Sequence, residues 1–245
     1  NYGDGNELIN VPVVLRLGMS GSMDKRTESM TPIITILPGR QKRLRSGHPW
    51  IYSNEIAMSA ETKALPPGGV VTVKGDDGVF HGVAHFNPHA LISARIVTRR
   101  DGAVLDDAFF EGRLRRALDL RSRFFTAPYY RLAHAEADGL PGLIIDRYGD
   151  TVVLQFNTAG MDRARAEILA AVQSVFNPRQ CVIRNDSPAR EREGLTLGVE
   201  IVGGAEIPGD GTCEIEENGV RFVTDLQQGQ KTGWFFDQRE NRRFV

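Results

Sequence analysis

The residue types best suited to bind an anionic ligand are concentrated near the end of the chain, between Gly229 and Arg243. Asp237, with Glu240 three residues later, predicts a helix start closed by a capping box. Backbone N–H groups at a helix start suit a carboxylate. The side chains around that start are polar, and the candidate ligand-binding residues are Lys231, Thr232, Gly233, Asp237, Gln238, Arg239 and Asn241.

This string has two other interpretations besides ligand binding. The spacing excludes a nucleotide P-loop. That motif needs one glycine directly before the lysine and another five residues before the first, and neither glycine is present before Lys231. A purely structural role, in which Trp234, Phe235 and Phe236 fill a core, stays open beside the ligand-binding one.

The composition limits the function classes. The 245 residues carry a formal net charge of -1 and 41% hydrophobic side chains, so contact with nucleic acid must come from a local patch. Cys181 and Cys213 stand apart, which argues against a disulfide framework or a zinc site and fits a reducing cytoplasm. No apolar run is long enough to span a membrane. His81, His85 and His89 lie on a predicted strand that runs into a turn, where residues four apart are about 13 Å from each other, so no metal site is predicted.

The elements that must position these residues begin at Thr31. Short strands at 33–37, 50–52, 70–73, 79–84 and 91–97, with a hairpin turn at 76–78, predict a small barrel. A basic turn supplies Arg40, Lys42, Arg43 and Arg45, which suit phosphate contacts or a solvated face. Trp50 and Tyr52 suit either stacking on an unpaired base or packing in the core.

A helix from Asp106 to Phe125 leads into a second unit. Strands at 130–134, 143–148 and 151–156, a helix at 161–176, a strand at 182–184 and a short helix at 188–193 capped by Ser187 follow. The Asn218-Gly219 turn joins strands 212–217 and 221–224 in the strongest hairpin signal of the chain. Together they predict an α+β domain with helices on one face of a sheet.

Three strings occur in the order seen in one enzyme family: Leu37 to Ile56, Glu136 to Tyr148 and Gly229 to Arg243. They resemble the class I S-adenosylmethionine-dependent RNA methyltransferases that carry a PUA domain and make 5-methylcytosine in large-subunit ribosomal RNA. The resemblance implies an extension at 1–30, a PUA pseudo-β-barrel at 31–105 that binds RNA, a linking helix at 106–128, a central α+β domain at 129–226, and at 227–245 the truncated start of a Rossmann-like methyltransferase domain. It also places the terminal string beside the methionine end of S-adenosylmethionine.

Further expectations follow from the resemblance. The catalytic cysteine is expected downstream of Val245, matched by neither Cys181 nor Cys213, and the fragment alone is expected to bind RNA weakly and to catalyse nothing. A homodimer is left open. The alternative is a stand-alone RNA-binding module without catalytic activity. Residues 15–22 are similar to a strand and turn of DNA glycosylases, but 1–30 read as an extension or gene-prediction artefact, with Met30 as the native start.

Overall fold

A computed structural model describes residues 31–203 and 211–244. The expectations for residues 1–30, including the glycosylase-like turn and the start at Met30, lie outside the described residues. Within the described ranges, the chain forms two five-stranded sheets, one two-stranded hairpin and seven α-helices.

The first sheet contains the barrel strands predicted from the sequence. Its strands are β1 (Ile33–Ile36), β2 (Trp50–Ile51), β3 (Gly69–Gly75), β4 (Phe80–Phe86) and β5 (Ala94–Thr98), in the order β1-β3-β4-β5-β2. Strands β1 and β3 are parallel and the other pairs antiparallel. Register shifts after Val73 and Val83 mark irregularities that bend strands, and the sheet curls into a half-barrel.

Two short helices accompany this sheet, α1 (Lys42–Arg45) and α2 (Ala60–Lys63). The sequence predicts α1 but not α2. The predicted strand at 91–97 starts three residues late, at Ala94, because Asn87 to Ser93 form a turn in which the Asn87 N–H donates to the Ser93 carbonyl at 2.7 Å. The predicted hairpin turn at 76–78 is confirmed, with Gly78 at a φ of +77°.

The second sheet belongs to the predicted α+β unit. The helix α3 (Asp107–Ser122) precedes it, and its strands are β6 (Tyr129–His134), β7 (Leu143–Tyr148), β8 (Thr151–Phe156), β9 (Gln180–Asn185) and β10 (Gly198–Val202), in the order β10-β9-β8-β7-β6. The parallel pair β8 and β9 is joined through α4 (Ala159–Arg163) and α5 (Arg165–Phe176). The sequence predicts one helix at 161–176, but the chain breaks it at Ala164. Strand β10 was missed because its residues are mostly exposed and carry no burial signal.

Helices cover one face of this sheet, as predicted. Asp106 caps α3 by accepting the Phe109 N–H at 2.9 Å, and side chains of α3 and α5 share one core with the strands. The short helix α6 (Pro188–Glu191) starts at its predicted cap, Ser187.

The opposite face is covered by the C-terminal part of the chain. The hairpin β11 (Thr212–Glu217) and β12 (Val220–Asp225) turns at Asn218-Gly219, where both residues have positive φ as a type I′ turn requires. Ile215 and Leu226 join Tyr148, Val153 and Val182 in a second core. The chain then runs through the 229–243 string to α7 (Arg239–Arg243).

Candidate functional site

The 229–243 string, called the terminal segment below, is anchored on the second sheet by a buried carboxylate. Asp146 on β7 is fully buried and accepts two hydrogen bonds from the Arg131 guanidinium, each 2.9 Å long. The hydroxyl of Thr232, also fully buried, donates to the same carboxylate. The Tyr148 hydroxyl donates to the Thr232 carbonyl at 3.0 Å. Thr232 therefore fixes the loop to the sheet and is not free to bind a ligand through its hydroxyl.

The loop before the helix is fixed through its backbone. Arg184, nearly fully buried, donates to the carbonyls of Leu226 at 3.1 Å and Gly229 at 2.8 Å, and it pairs with Asp186 at 2.7 Å. The Thr224 hydroxyl donates to the Gly233 carbonyl at 2.5 Å. The Arg184 guanidinium therefore holds this loop.

A second buried carboxylate, Glu217, holds the end of the terminal segment. Arg242 donates to both of its oxygens, at 2.6 and 2.9 Å, and the Trp234 indole donates at 3.2 Å. Arg239 approaches Glu217 at 3.4 Å, donates to the Tyr129 carbonyl at 2.7 Å and lies over the Phe125 ring at 4.7 Å. Burial alone would raise the pKa of Glu217, but these hydrogen bonds and the two arginine charges hold that pKa below its ordinary value.

The predicted capping box is wrong. A 3-10 turn at Phe236–Gln238 precedes α7, so Gln238 occupies the N-cap position and no side chain caps the helix. Asp237 instead accepts a bond from the Gln238 amide at 3.3 Å, which together with the charges of Lys231 and Arg131 holds the pKa of Asp237 below its ordinary value.

The predicted cofactor residues therefore divide into two groups. Thr232, Gly233 and Arg239 are engaged in holding the segment. Lys231, Asp237, Gln238 and Asn241 are exposed. The Lys231 ammonium lies 4.1 Å from the Phe235 ring centroid, and the residue helps to line a pocket of about 300 Å³ with Arg131, Ile144, Gln155, Asp186, Ser187 and Pro188.

The predicted basic patch is partly neutralised. Arg43 pairs with Glu55 at 2.9 Å, and Arg45 pairs with Asp77 at 2.8 Å. Arg40 and Lys42 are exposed and carry no ion pair with the described residues. Phosphate contact by all four residues stays a prediction, and Arg40 and Lys42 are the two without an ion pair among the described residues.

The two aromatic candidates are also engaged. The Trp50 indole N–H donates to Glu136 of the second sheet's unit at 2.7 Å, and the Tyr52 ring lies 4.8 Å below the Arg43 guanidinium. Both side chains are partly buried. Base stacking by these residues stays a prediction.

The three carboxylates of the second string are all paired. Glu136 accepts from Trp50, Asp138 pairs with Arg121 at 2.6 Å, and Asp146 holds Arg131 and Thr232. The sequence placed Asp146 beside Arg147, but its partner is Arg131 on the neighbouring strand β6, a cross-strand pairing that no local spacing reveals.

Part of the chain matches a known domain family. A family model described as a PUA-like domain matches residues 34–99, which span the half-barrel sheet. The chain therefore contains a PUA-like domain, joined to a second α+β unit that carries the terminal segment.

Similar proteins of known name extend the match beyond the PUA-like domain. The chain is 36% identical over 216 residues to ribosomal RNA large subunit methyltransferase I of Pseudoalteromonas atlantica, covering 87% of this chain and 53% of that protein. The protein of the same name from Klebsiella pneumoniae strain 342 is 36% identical over 219 residues, covering 88% and 54%. The chain thus spans about half the length of the curated relatives it matches. The similarity to large-subunit ribosomal RNA methyltransferases that the sequence predicts is confirmed.

Solved structures show the same fold. A protein described as a SAM-dependent methyltransferase from Streptococcus mutans matches with a TM-score of 0.70 at 23% identity, over 87% of this chain and 54% of that one. A methyltransferase structure complexed with SAH matches with a TM-score of 0.69 over 86% and 52%.

No helix within 31–203 or 211–244 is long and apolar enough to cross a membrane. Over the same residues, no cluster of three or more His, Cys, Asp or Glu side chains is placed to hold a metal ion.

Proposed function

We propose that the protein is an S-adenosylmethionine-dependent RNA methyltransferase that forms 5-methylcytosine in large-subunit ribosomal RNA. The observation that carries this proposal is the similarity to ribosomal RNA large subunit methyltransferase I along 87% of the chain. A cytoplasmic location follows from the proposed substrate, and a homodimer stays a prediction.

A stand-alone RNA-binding module is the alternative, and the extent of the similarity disfavours it. The PUA-like match ends at residue 99, whereas the aligned 216 residues must include much of the second unit. A module that only shared the RNA-binding domain would not carry this second unit.

The proposed cofactor contacts come from the exposed side of the terminal segment. S-adenosylmethionine supplies the methyl group when bound, and its methionine end carries a carboxylate and an amine. Lys231 can neutralise the carboxylate, while Asp237 and the amides of Gln238 and Asn241 can accept and donate hydrogen bonds. Asn241 and Gln238 already hold each other at 2.6 Å, which orders this polar edge.

Neither cysteine of the chain suits the nucleophile of this reaction. Carbon 5 of cytosine becomes reactive after a thiolate attacks carbon 6, and only the ionised thiol is nucleophilic. Burial raises the pKa of Cys181 to about 11, and burial and Glu214 raise the pKa of Cys213. We therefore assign the catalytic thiolate to neither residue.

Deletion of the gene in its source organism tests the proposal. Bisulfite sequencing of large-subunit ribosomal RNA should show one cytosine that resists conversion in the wild type and is converted in the deletion strain. The reintroduced gene should restore the resistant cytosine. Identical conversion patterns in the two strains would refute 5-methylcytosine formation by this protein.

A further inference from the structure

A groove lined by arginines lies between the end of strand β5 and the first half of helix α3. Its volume is about 720 Å³, and its lining residues are Thr98, Arg100, Gly102, Val104, Asp106, Ala108, Phe109, Gly112, Arg113 and Arg116. We call it the arginine groove. None of its residues belongs to the basic turn predicted from the sequence.

The arginines of this groove are unpaired among the described residues. Its three arginines, Arg100, Arg113 and Arg116, form no ion pair with any carboxylate of the described residues, whereas Arg115 and Arg121 on the same helix pair with Glu111 and Asp138. The lining includes one carboxylate, Asp106, which is occupied in capping α3. The sequence alone does not show which arginines of α3 are paired with carboxylates, whereas the structure does.

One of the arginines is held in place. The Arg113 guanidinium donates to the Val97 carbonyl at 3.1 Å and lies 5.2 Å from the Phe109 ring centroid. Burial, and to a smaller extent the charge of Arg116 one turn further along the helix, lower the pKa of Arg113. Because Arg113 is already ordered, little side-chain entropy is lost when its remaining N–H groups meet an anion.

The rest of the groove leaves room for a single strand of nucleic acid. A Cβ at Gly102 or Gly112 would meet nothing within 4 Å, so the wall is open at both positions. Val104 is 67% exposed and offers an apolar surface beside the arginines. A groove lined by positive charge suits the phosphate backbone of a single strand of nucleic acid.

We propose that the arginine groove binds the phosphate backbone of the RNA substrate, with Arg100, Arg113 and Arg116 as the contacting residues. The proposal rests on the proposed function for the identity of the polyanion. It moves the main electrostatic contact away from the turn at residues 40–45. There, two of the four cations are paired, and the adjoining pocket is lined by both Asp76 and Asp77.

Fluorescence anisotropy with a labelled RNA hairpin bearing a single-stranded loop, at 50 to 200 mM KCl, tests this assignment. The variant carrying Arg100→Gln and Arg116→Gln should bind about tenfold or more weakly at 100 mM KCl, and the slope of log K against log salt should fall by about 1.5 to 2. Both residues are exposed, so the variant should fold.

A control for the loss of arginine charge on this helix is Arg115→Gln, at the position next to Arg116, where Glu111 already pairs with the arginine. Its affinity and salt slope should equal those of the wild type. A double variant that binds RNA within twofold of this control, or a wild-type chain that binds no RNA at 50 mM KCl, would overturn the groove assignment. The bisulfite map of the ribosomal RNA tests the methylation proposal separately from either result.

Discussion

At the scale of single residues, two buried carboxylates hold the terminal segment in its position on the protein. Asp146 and Glu217 come from strands of different sheets. Asp146 accepts from Thr232 of the segment and from Arg131 of the sheet beneath it. Glu217 accepts from Arg242 and Trp234, both of the segment. A buried carboxylate is stable only when its oxygens are satisfied in this way. Sequence spacing showed neither anchor, because the partners of Asp146 are 15 and 86 residues away.

Removing the charge of Asp146 should destabilise the protein strongly. Asp146→Asn leaves the Arg131 guanidinium without its carboxylate, and breaking one side of a buried pair costs about 3 to 5 kcal/mol. Thr232→Val keeps the shape of the side chain but removes its hydroxyl, and it should lower the free energy of unfolding by about 1 to 2 kcal/mol. Urea denaturation measures both, with the exposed Asp150→Asn as a control within about 0.5 kcal/mol of wild type. Equal stability of Asp146→Asn and Asp150→Asn would contradict the anchoring role.

The exposed Lys231 should affect ligand affinity and leave stability nearly unchanged. A charge-assisted hydrogen bond contributes about 1.5 to 3 kcal/mol, so Lys231→Gln in the full-length protein should raise the Kd of S-adenosylhomocysteine about tenfold or more. Calorimetric titration gives the Kd. Arg243→Gln, also exposed and in the same segment, should bind as the wild type does. If the two variants bind equally, the terminal segment is a scaffold only.

At the scale of elements, turn and cap signals were the most reliable part of the sequence. Ser187 and the Asn218-Gly219 turn act as predicted, and the helix predicted from Asp106 begins at Asp107 with Asp106 as its cap. Each of these signals depends on a local backbone requirement. The capping box at Asp237 failed although its spacing was correct. Packing of Trp234 and Phe236 against the second core shifts the chain into a 3-10 turn there, and tertiary contact overrides the local preference.

Two glycines should respond oppositely to the same substitution. Gly112 lies inside helix α3 with open space around it, so Gly112→Ala should stabilise the protein by about 0.5 to 1 kcal/mol. Gly219 has a φ of +79° in the hairpin turn, so Gly219→Ala should destabilise it by about 1 kcal/mol. Thermal and urea unfolding measure both. Changes of the same sign would mean that backbone conformation does not govern these positions.

At the scale of the whole described unit, the two sheets are joined by polar contacts between residues far apart in the chain. Glu193 accepts from Arg95 at 2.7 Å and from Asn87 at 3.0 Å, and Trp50 reaches Glu136. All strands of the two sheets except β10 could be predicted from periodicity and turns. The polar contacts that join the two sheets could not be predicted. Periodicity assigns a residue to a core face but does not identify a partner about 100 positions away.

His85 lies at this joint, and its burial should make stability depend on pH. A Cβ at Gly160 would lie 2.1 Å from the His85 ring, and Arg95 and Glu193 line the same small cavity. Burial, helped by the Arg95 charge, lowers the pKa of His85 to about 4, so the folded protein keeps the ring neutral while the unfolded chain takes up a proton near pH 6.5. The contribution of His85 to stability is therefore complete above pH 6.5 and is lost as the pH falls toward 4.

Urea denaturation at several pH values measures this effect. Between pH 6.5 and 4, His85 should lower the free energy of unfolding by up to about 1.4 kcal/mol per pH unit, and His85→Phe should remove that part of the slope. His89→Gln, at an exposed position four residues away, should keep the wild-type slope. If His85→Phe and the wild type lose stability in parallel on acidification, the joint does not hold His85 neutral, and the acid sensitivity of the protein arises elsewhere.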